Sequence, residues 1–512
     1  MSAPKLLIDT NVLIHLEDPA AVPKEFAELT ELAGRHGVGV YVHAAAIDDI
    51  QRDKNESRRT ITLSKLAKFP RIAKVMSLTD AKLAADFGPL AKPNDVVDAT
   101  LLHALRIGVA AFVVTQDRGL HDRAQKYSPD LANRVLFVAD AVALLKSTYE
   151  PTTVSIPFVE EVEAHTIPRG DPIFATLRAD YPAFDKWWDK CVAEMRKCWV
   201  VLDGNELAGL IVRKEEKKGA TDATLPGEKI LKLCTFKVRP ENRGLKLGEL
   251  LLKQALWFAQ ANKYDVAYLT TFSGQGFLIE LLEYFGFTNT GTNSAGELIY
   301  EKPMSRDPVP LPATGTSFFD AARVAYPRFY AGPEVEAYGI PIKEAFHEDL
   351  FPELAKPKQP DLFKAIGGPK TPGNTIRKVY LCRAQANIGK PGALLFFYKS
   401  ASKNLPSQAV TTVGIFESMA LARSTEELRQ LAGGRSVYTE QQLQFFAASA
   451  DKPVKVINFL LAAHVSPVIE LATLKRLGVV KGQPPQSIFR IARDNLLALL
   501  GAIANLGFRV LP

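Results

Sequence analysis

The stretch LLIDTNVLIHL, residues 6–16, sets Asp9 and Asn11 inside an apolar run. A buried strand has no use for an unpaired carboxylate, which either costs several kcal/mol away from water or titrates to neutral. Such a residue belongs at the carboxyl edge of a strand, where a cation, backbone donors or a helix start can meet it. The chain must therefore fold with Asp9 at an edge, as a metal ligand or as a helix cap. Other carboxylates at neighbouring strand ends would favour the metal.

Several follow. Phe26, Leu29 and Leu32 keep helical spacing up to Gly34 and Gly37, and Val38–Val42 reads as a short strand feeding a helix with Asp48 and Asp49. PNDVVDATLLHALRIG places Val97, Leu101, Leu102 and Leu105 on one helical side, with Asp95 and Asp98 near its start. VAAFVVTQDRG is an apolar strand ending at Thr115 and Asp117. Alternating strands and helices predict a parallel sheet, whose sites gather at the carboxyl ends of its strands. Acids sharing one pocket repel each other unless a divalent cation neutralises them, and oxygen-only ligation favours Mg2+ or Mn2+ over zinc. The chemistry of such a site is phosphodiester hydrolysis by metal-bound hydroxide.

DTNVLIHL, an acid in AAAIDDI, DATLLHAL and VVTQDRGL resemble, in this order, the four signatures of PIN-domain ribonucleases over residues 1–148. The resemblance implies a metal and catalytic set of Asp9, Asp98 and Asp117 with Asp49 as the fourth acid. Asp48 competes for that fourth place, where the family commonly has glutamate. Asn11 and Thr115 match polar residues that orient the metal water or a carboxylate. Asp95 reads as a helix N-terminal charge or a spare ligand, and His15, His103 and His121 as structural or surface residues.

At 512 residues the chain exceeds what one core serves, so three or so domains are expected. The hydrophobic share of 47% and charged share of 23% are those of an ordinary globular protein. No apolar run reaches the ~18 residues of a membrane span, and Asp9 interrupts any signal-peptide core. Four scattered cysteines without a CxxC pair fit a reducing cytoplasm and argue against a disulfide framework or structural zinc. The net charge of +7 is uneven: zero over 1–150, −2 over 151–305 and +9 over 306–512. A basic third beside two neutral ones is the expected footprint of a polyanion-binding module.

In the middle third, WVVLDGNELAGLIVRKE alternates around Asp203, Gly204 and Asn205, a hairpin signal, and a polar excursion from Lys214 to Glu228 leads into the strand KILKLCTFKV. A long helix then buries Leu250, Leu251, Ala255, Leu256 and Ala259, and Arg243, Gly244, Lys246 and Gly248 lie about its start. Amides at a helix start with small residues beside them make a pyrophosphate cradle; the alternative is an Arg-Gly turn before a core helix. The strand VAYLTTF and helix GFLIELLEYFGF follow. This order, with VRPENRGLKLG, resembles the GNAT acetyltransferases over 156–305. The resemblance implies acetyl-CoA, held by backbone amides around Phe236 and Val238 and by the Arg243–Gly248 turn. Two positions depart from the family. Lys246 replaces the middle glycine of the turn, and Leu282 replaces the tyrosine that protonates the departing thiolate. Tyr284, two residues on, should face elsewhere on the helix.

MSRDPVPLPATGTS reads as a linker, and KPGALLFFYKS, VTTVGIFES and PPQSIFRI resemble PUA-like barrels close to the ASCH type. That resemblance implies RNA or modified nucleotides as ligands. Lys399, Lys403, Arg435, Arg490 and Arg493 are then candidate phosphate contacts and Phe397 or Tyr398 candidate stacking residues, each weighed against a surface charge or a core aromatic.

The expected fold is multidomain α/β: a parallel-sheet PIN-like domain (1–148), a mixed-sheet GNAT-like domain (156–305) and a small α+β PUA-like barrel (316–512). The expected function is a metal-dependent endoribonuclease with an acetyl-CoA-binding domain and an RNA-binding module. Both PIN and GNAT domains occur as toxins acting on tRNA, which implies tRNA-type RNA, an antitoxin-type regulator and a homodimer as partners. One rival is an N-acetyltransferase acting on a protein, a small molecule or aminoacyl-tRNA, its other domains positioning the substrate. The other is a sensor in which acetyl-CoA gates the nuclease.

Overall fold

The computed structural model describes residues 4–9, 11–12, 24–51, 56–67, 69–72, 78–149, 158–239, 242, 246–304, 312, 315–354, 375–402, 406–506 and 510–511. The chain forms two compact units. One comprises Met1–Val154, Arg243–Leu245 and Ala420–Val456, the other Ser155–Asn242, Lys246–Met419 and Ile457–Pro512. Among the described residues no helix is long and apolar enough to cross a membrane.

In the first unit, β1 (Lys5–Ile8), β2 (Gly39–Val42), β3 (Phe112–Val114) and β4 (Val135–Leu136) make a parallel sheet in the order β2-β1-β3-β4. Helices α1 (Lys24–Arg35), α2 (Ala45–Gln51), α3 (Glu56–Leu66), α4 (Asp80–Phe87), α5 (Pro93–Arg106), α6 (Arg118–Tyr127), α7 (Pro129–Ala132) and α8 (Val138–Tyr149) connect and cover it. Leu6 and Ile8 face the core built with α1 and α8, and Leu7 faces the core built with α4 to α6. Burial on both faces is why these strands read as continuous apolar runs. The later segment Ala420–Val456 packs its helices Thr425–Ala432 and Glu440–Phe445 in the same unit. There Gly433 adopts φ +53°, and a Cβ on it would lie 2.4 Å from the Asn133 carbonyl oxygen, so the approach requires glycine.

The second unit contains a seven-stranded mixed sheet in the order β10-β11-β9-β8-β7-β6-β5, from β5 (Glu160–Glu163), β6 (Lys197–Asp203), β7 (Glu206–Lys217), β8 (Lys229–Val238), β9 (Val266–Thr271), β10 (Thr288–Thr292) and β11 (Leu298–Pro303). Only β8 and β9 pair in parallel. The expected hairpin joins β6 to β7 through Gly204 at φ +62°. Helices α9 (Ala175–Asp180) and α10 (Phe184–Ala193) lie on one side, and α10 packs Trp188 against Val200, Leu210 and Val212. Helix α11 (Leu247–Ala261) buries Leu250, Leu251, Ala255, Leu256 and Ala259 as its spacing predicts, and α12 (Gly276–Tyr284) follows β9.

The same unit holds a six-stranded mixed sheet, order β14-β17-β16-β15-β13-β18, after the two-residue β12 (Phe329–Tyr330) that pairs with the last strand. Its strands are β13 (Ala337–Ile342), β14 (Arg377–Cys382), β15 (Leu394–Lys399), β16 (Ala409–Ala422), β17 (Val454–Glu470) and β18 (Phe489–Ile491). Together the two units make a multidomain α/β protein, parallel in its first sheet and mixed elsewhere.

Candidate functional site

Strands β8 and β9 are hydrogen-bonded over only Ile230–Lys232 and Val266–Tyr268, although β8 runs on to Val238 and β9 to Thr271. Beyond Lys232 the two strands therefore part within the sheet. On the other side of β8 the ladder to β7 continues, pairing Phe236 with Ile211 and Val238 with Gly209. Arg239 donates its N–H to the Ala208 carbonyl at 2.9 Å. Donation alternates along an antiparallel strand, so Lys237 also faces β7, while the amides of Phe236 and Val238 turn toward the gap beside β9. The opening thus presents backbone donors on a half-buried stretch of strand.

Past β8 the chain enters α11. Lys246 is its N-cap residue, at φ 56° and ψ 25°. This left-handed conformation is the physical reason a glycine suits the position, and lysine holds it at a steric cost. A Cβ on Gly248 would lie 3.4 Å from Leu281, so α12 packs beside the helix start. Arg243 and Gly244 lie outside the described residues. Leu282 is fully buried in the core. The guanidinium groups of Arg323 and Arg377 lie over the ring of Tyr284, at 4.5 and 4.8 Å from its centroid.

Sequence reasoning missed what faces the first turn of α11. Glu249 is 3% exposed, and Arg377 meets it with the backbone N–H (2.6 Å), Nε (2.8 Å) and an Nη (2.7 Å). Burial alone would raise the Glu249 pKa, but Arg377 outweighs it and holds the carboxyl below its ordinary value. An acid in a helix's first turn is commonplace, and its partner is 128 residues away, so no local signal marks the pair.

In the first unit, Asp9 sits at the carboxyl end of β1 as expected, 6% exposed, with its N–H on the Val114 carbonyl. One carboxylate oxygen accepts from Thr115 Oγ1 (2.7 Å) and Asn11 Nδ2 (2.8 Å). Asp117 caps α6, accepting the Gly119 amide at 2.8 Å. Asp95 accepts the Lys92 amide before α5 and pairs with Arg123 at 2.7 Å, which makes it the helix N-terminal charge. Asp98 is pushed up to about 7, first by burial and then by the negative charges of Asp117 and Asp9, while Arg123 stands 3.9 Å away. His103 packs edge-on to Phe87 and His121 stacks on Phe137, both structural contacts.

The metal expectation gains no support from the described residues. Among the described residues no group of three or more His, Cys, Asp or Glu side chains is arranged to hold an ion. Asp9 and Asp117 are engaged by hydroxyl, amide and backbone donors, and the cation beside Asp98 is Arg123. The side chains of Asp48 and Asp49, like His15, lie outside the described residues. Nothing among the described residues supports Mg2+ or Mn2+ there, and no step through a metal is derived.

The expected RNA contacts fare similarly. Lys399 is buried and paired with Glu344, and Arg493 donates to the Ala331 and Gly332 carbonyls. Arg490 pairs with Glu336, and Phe397 and Tyr398 are core residues with no face to offer a base. Arg435 lies in the other unit and Lys403 outside the described residues.

Residues 162–287, which carry the parting strands β8 and β9, match the acetyltransferase (GNAT) family and form a GNAT domain. No curated protein matches the chain. Among solved structures, the ASCH protein of Zymomonas mobilis is 15% identical, over 34% of this chain and 97% of its own, with a TM-score of 0.25. The IAA acetyltransferase of Bacillus cereus is 14% identical, over 28% and 96%, with a TM-score of 0.23. The PaiA N-acetyltransferase of Thermoplasma acidophilum, in complex with coenzyme A, is 15% identical, over 25% and 79%, with a TM-score of 0.21. These matches lend no support to a metal-dependent nuclease.

Proposed function

We propose that this protein is an acetyl-CoA-dependent N-acetyltransferase whose remaining domains position the acceptor. The observation that carries this reading is the parting of β8 from β9, with the amides of Phe236 and Val238 turned into the gap. A thin ligand arm that offers carbonyl groups fits such an opening, because it supplies the acceptors the strand lacks there. Phe236 and Val238 would hold the arm, and the start of α11, from Lys246 to Gly248, would hold the phosphates. Bound there, acetyl-CoA supplies an activated acyl thioester. The chain's own part is orientation: the rigid sheet fixes the arm, and Gly248 lets backbone approach the anion. Leu282 leaves only hydrocarbon at the helix position where a tyrosine would move a proton. Any proton transfer must then use another group or water.

The acceptor class is a protein amine, a small amine or an aminoacyl-tRNA, and the discriminating assay is release of free CoA with each in turn. Titration of the chain with acetyl-CoA by calorimetry is the primary test. Saturable binding followed by CoA release on adding one acceptor class supports the reading, and absence of binding overturns it. Lys246→Glu should weaken acetyl-CoA binding tenfold or more, because it puts a negative charge beside the phosphates. Lys246→Gly should instead raise folding stability by about 1 kcal/mol, the left-handed penalty being lifted. It should weaken binding only a few-fold.

A further inference from the structure

We propose that Arg377, carried by the six-stranded sheet, is a positioning residue for the acetyl-CoA site, acting by neutralising Glu249. The inference rests on the acetyltransferase reading above. Glu249 is the third residue of α11, next to Gly248, at the helix end that the reading assigns to phosphate. Alone, its buried carboxylate would suit the helix dipole but repel any anion at the same end. Two donations from Arg377, one from its backbone and one from Nε, engage both carboxylate oxygens, and a guanidinium Nη at 2.7 Å helps cancel that charge where water cannot.

The geometry is that of a strut with fixed ends. Arg377 is the first residue of β14, and its guanidinium also lies over Tyr284 at the end of α12. Arg323 also lies over that ring and donates to the Tyr284 carbonyl. Leu281, one turn earlier on α12, meets the vacant Cβ position of Gly248. The start of α11, the end of α12 and the edge of the six-stranded sheet are thus tied at one charged node. A buried ion pair is a poor stabiliser compared with apolar packing of equal volume. Its value here is electrostatic: the helix start stays receptive to an anion only while Arg377 is in place. The C-terminal sheet therefore completes a site that the GNAT domain alone would hold in repulsive form.

The test uses the full chain and two titrants, acetyl-CoA and S-acetylpantetheine, which keeps the thioester arm but lacks the pyrophosphate and nucleotide. Arg377→Met should weaken acetyl-CoA binding tenfold or more and S-acetylpantetheine less than twofold. Glu249→Gln should bind acetyl-CoA at least as tightly as the wild type. Combining it with Arg377→Met should bring affinity back to within threefold of wild type. Equal weakening toward both titrants would overturn the inference, since it would mean general distortion. So would a double variant no better than Arg377→Met, or weaker acetyl-CoA binding by Glu249→Gln, which stays informative if Arg377→Met fails to fold. If the wild type binds S-acetylpantetheine and acetyl-CoA but rescue fails, only this inference falls. If it binds neither, the acetyltransferase reading falls with it.

Discussion

Asp98→Asn is expected to stabilise the Met1–Val154 unit at pH 8, by as much as ~4 kcal/mol if the whole shift is realised. The group titrates near 7 in the folded unit because burial and the charges of Asp117 and Asp9 oppose its ionisation. A raised carboxyl favours folding fully below its unfolded value near 4, and the advantage is lost as the pH climbs from there through 7. The wild-type unit should weaken over that window, and the asparagine variant should not. All four tryptophans lie between residues 187 and 257, so fluorescence reports the other unit. Amide exchange in β1 and β3 is the suitable measurement, slowed tenfold or more at pH 8 in the variant. Faster exchange would mean that the carboxylate serves folding, against the repulsion argument. Repeating the measurement with Mn2+ also tests the acids as a cation site: protection gained by the wild type and absent in the variant would restore that expectation.

Glu353→Gln should destabilise the second unit by about 3–5 kcal/mol, the usual result of stripping a buried cation of its partner. Glu353 pairs with Lys253, itself 3% exposed, and accepts from His464 Nε2 at 2.6 Å. Burial opposes its charge, but Lys253 and His464 hold the carboxyl far below the ordinary range. Nearby Lys378 is fully buried and is lowered to about 7 by burial and by Lys253. Trp257 sits under Lys253 and edge-on to His464, so its fluorescence during urea unfolding reads the node directly. A loss below 1 kcal/mol would show that Lys253 and Glu353 are solvated in practice. Acid should act here in the sense opposite to Asp98. His347 is lowered to about 3, and His464 is lowered too, both chiefly by burial. Such groups favour folding above their unfolded value near 6.5, and that contribution is lost as the pH falls from there toward the folded value.

What the sequence reveals depends on the reach of each signal. Asp9 at a strand edge, the Asp203–Asn205 turn and the apolar side of α11 follow from residues a few places apart, and all take the expected form. The 17-residue strand β17 carries no period-two pattern, because Val454 to Ala463 are buried on both faces, and sequence reading passes over it. Phe397 and Tyr398 look like stacking residues in a basic segment until β16 and β13 enclose their strand. At the candidate site, the outward amides of β8 depend on a ladder partner, and the Glu249–Arg377 pair on a contact between separate sheets. The pair cannot be read along the chain, and the amides only through the family resemblance. The acids of the first unit were legible as neighbours, but Arg123 as their counter-charge was not.

The first unit draws its segments from distant stretches of the chain, and this has a consequence for biosynthesis. Residues 1–154 leave the ribosome first, whereas the segment that Gly433 seats against Asn133 follows after the 265 residues from 155 to 419. At ~5–20 residues per second the parallel sheet waits roughly 15–50 s for its last partner. During that interval the surface around Tyr149 that Arg429 later joins is open to solvent or to a chaperone. Vectorial synthesis thus finishes the first unit only after the seven-stranded sheet and four of the six strands of the C-terminal sheet have been made.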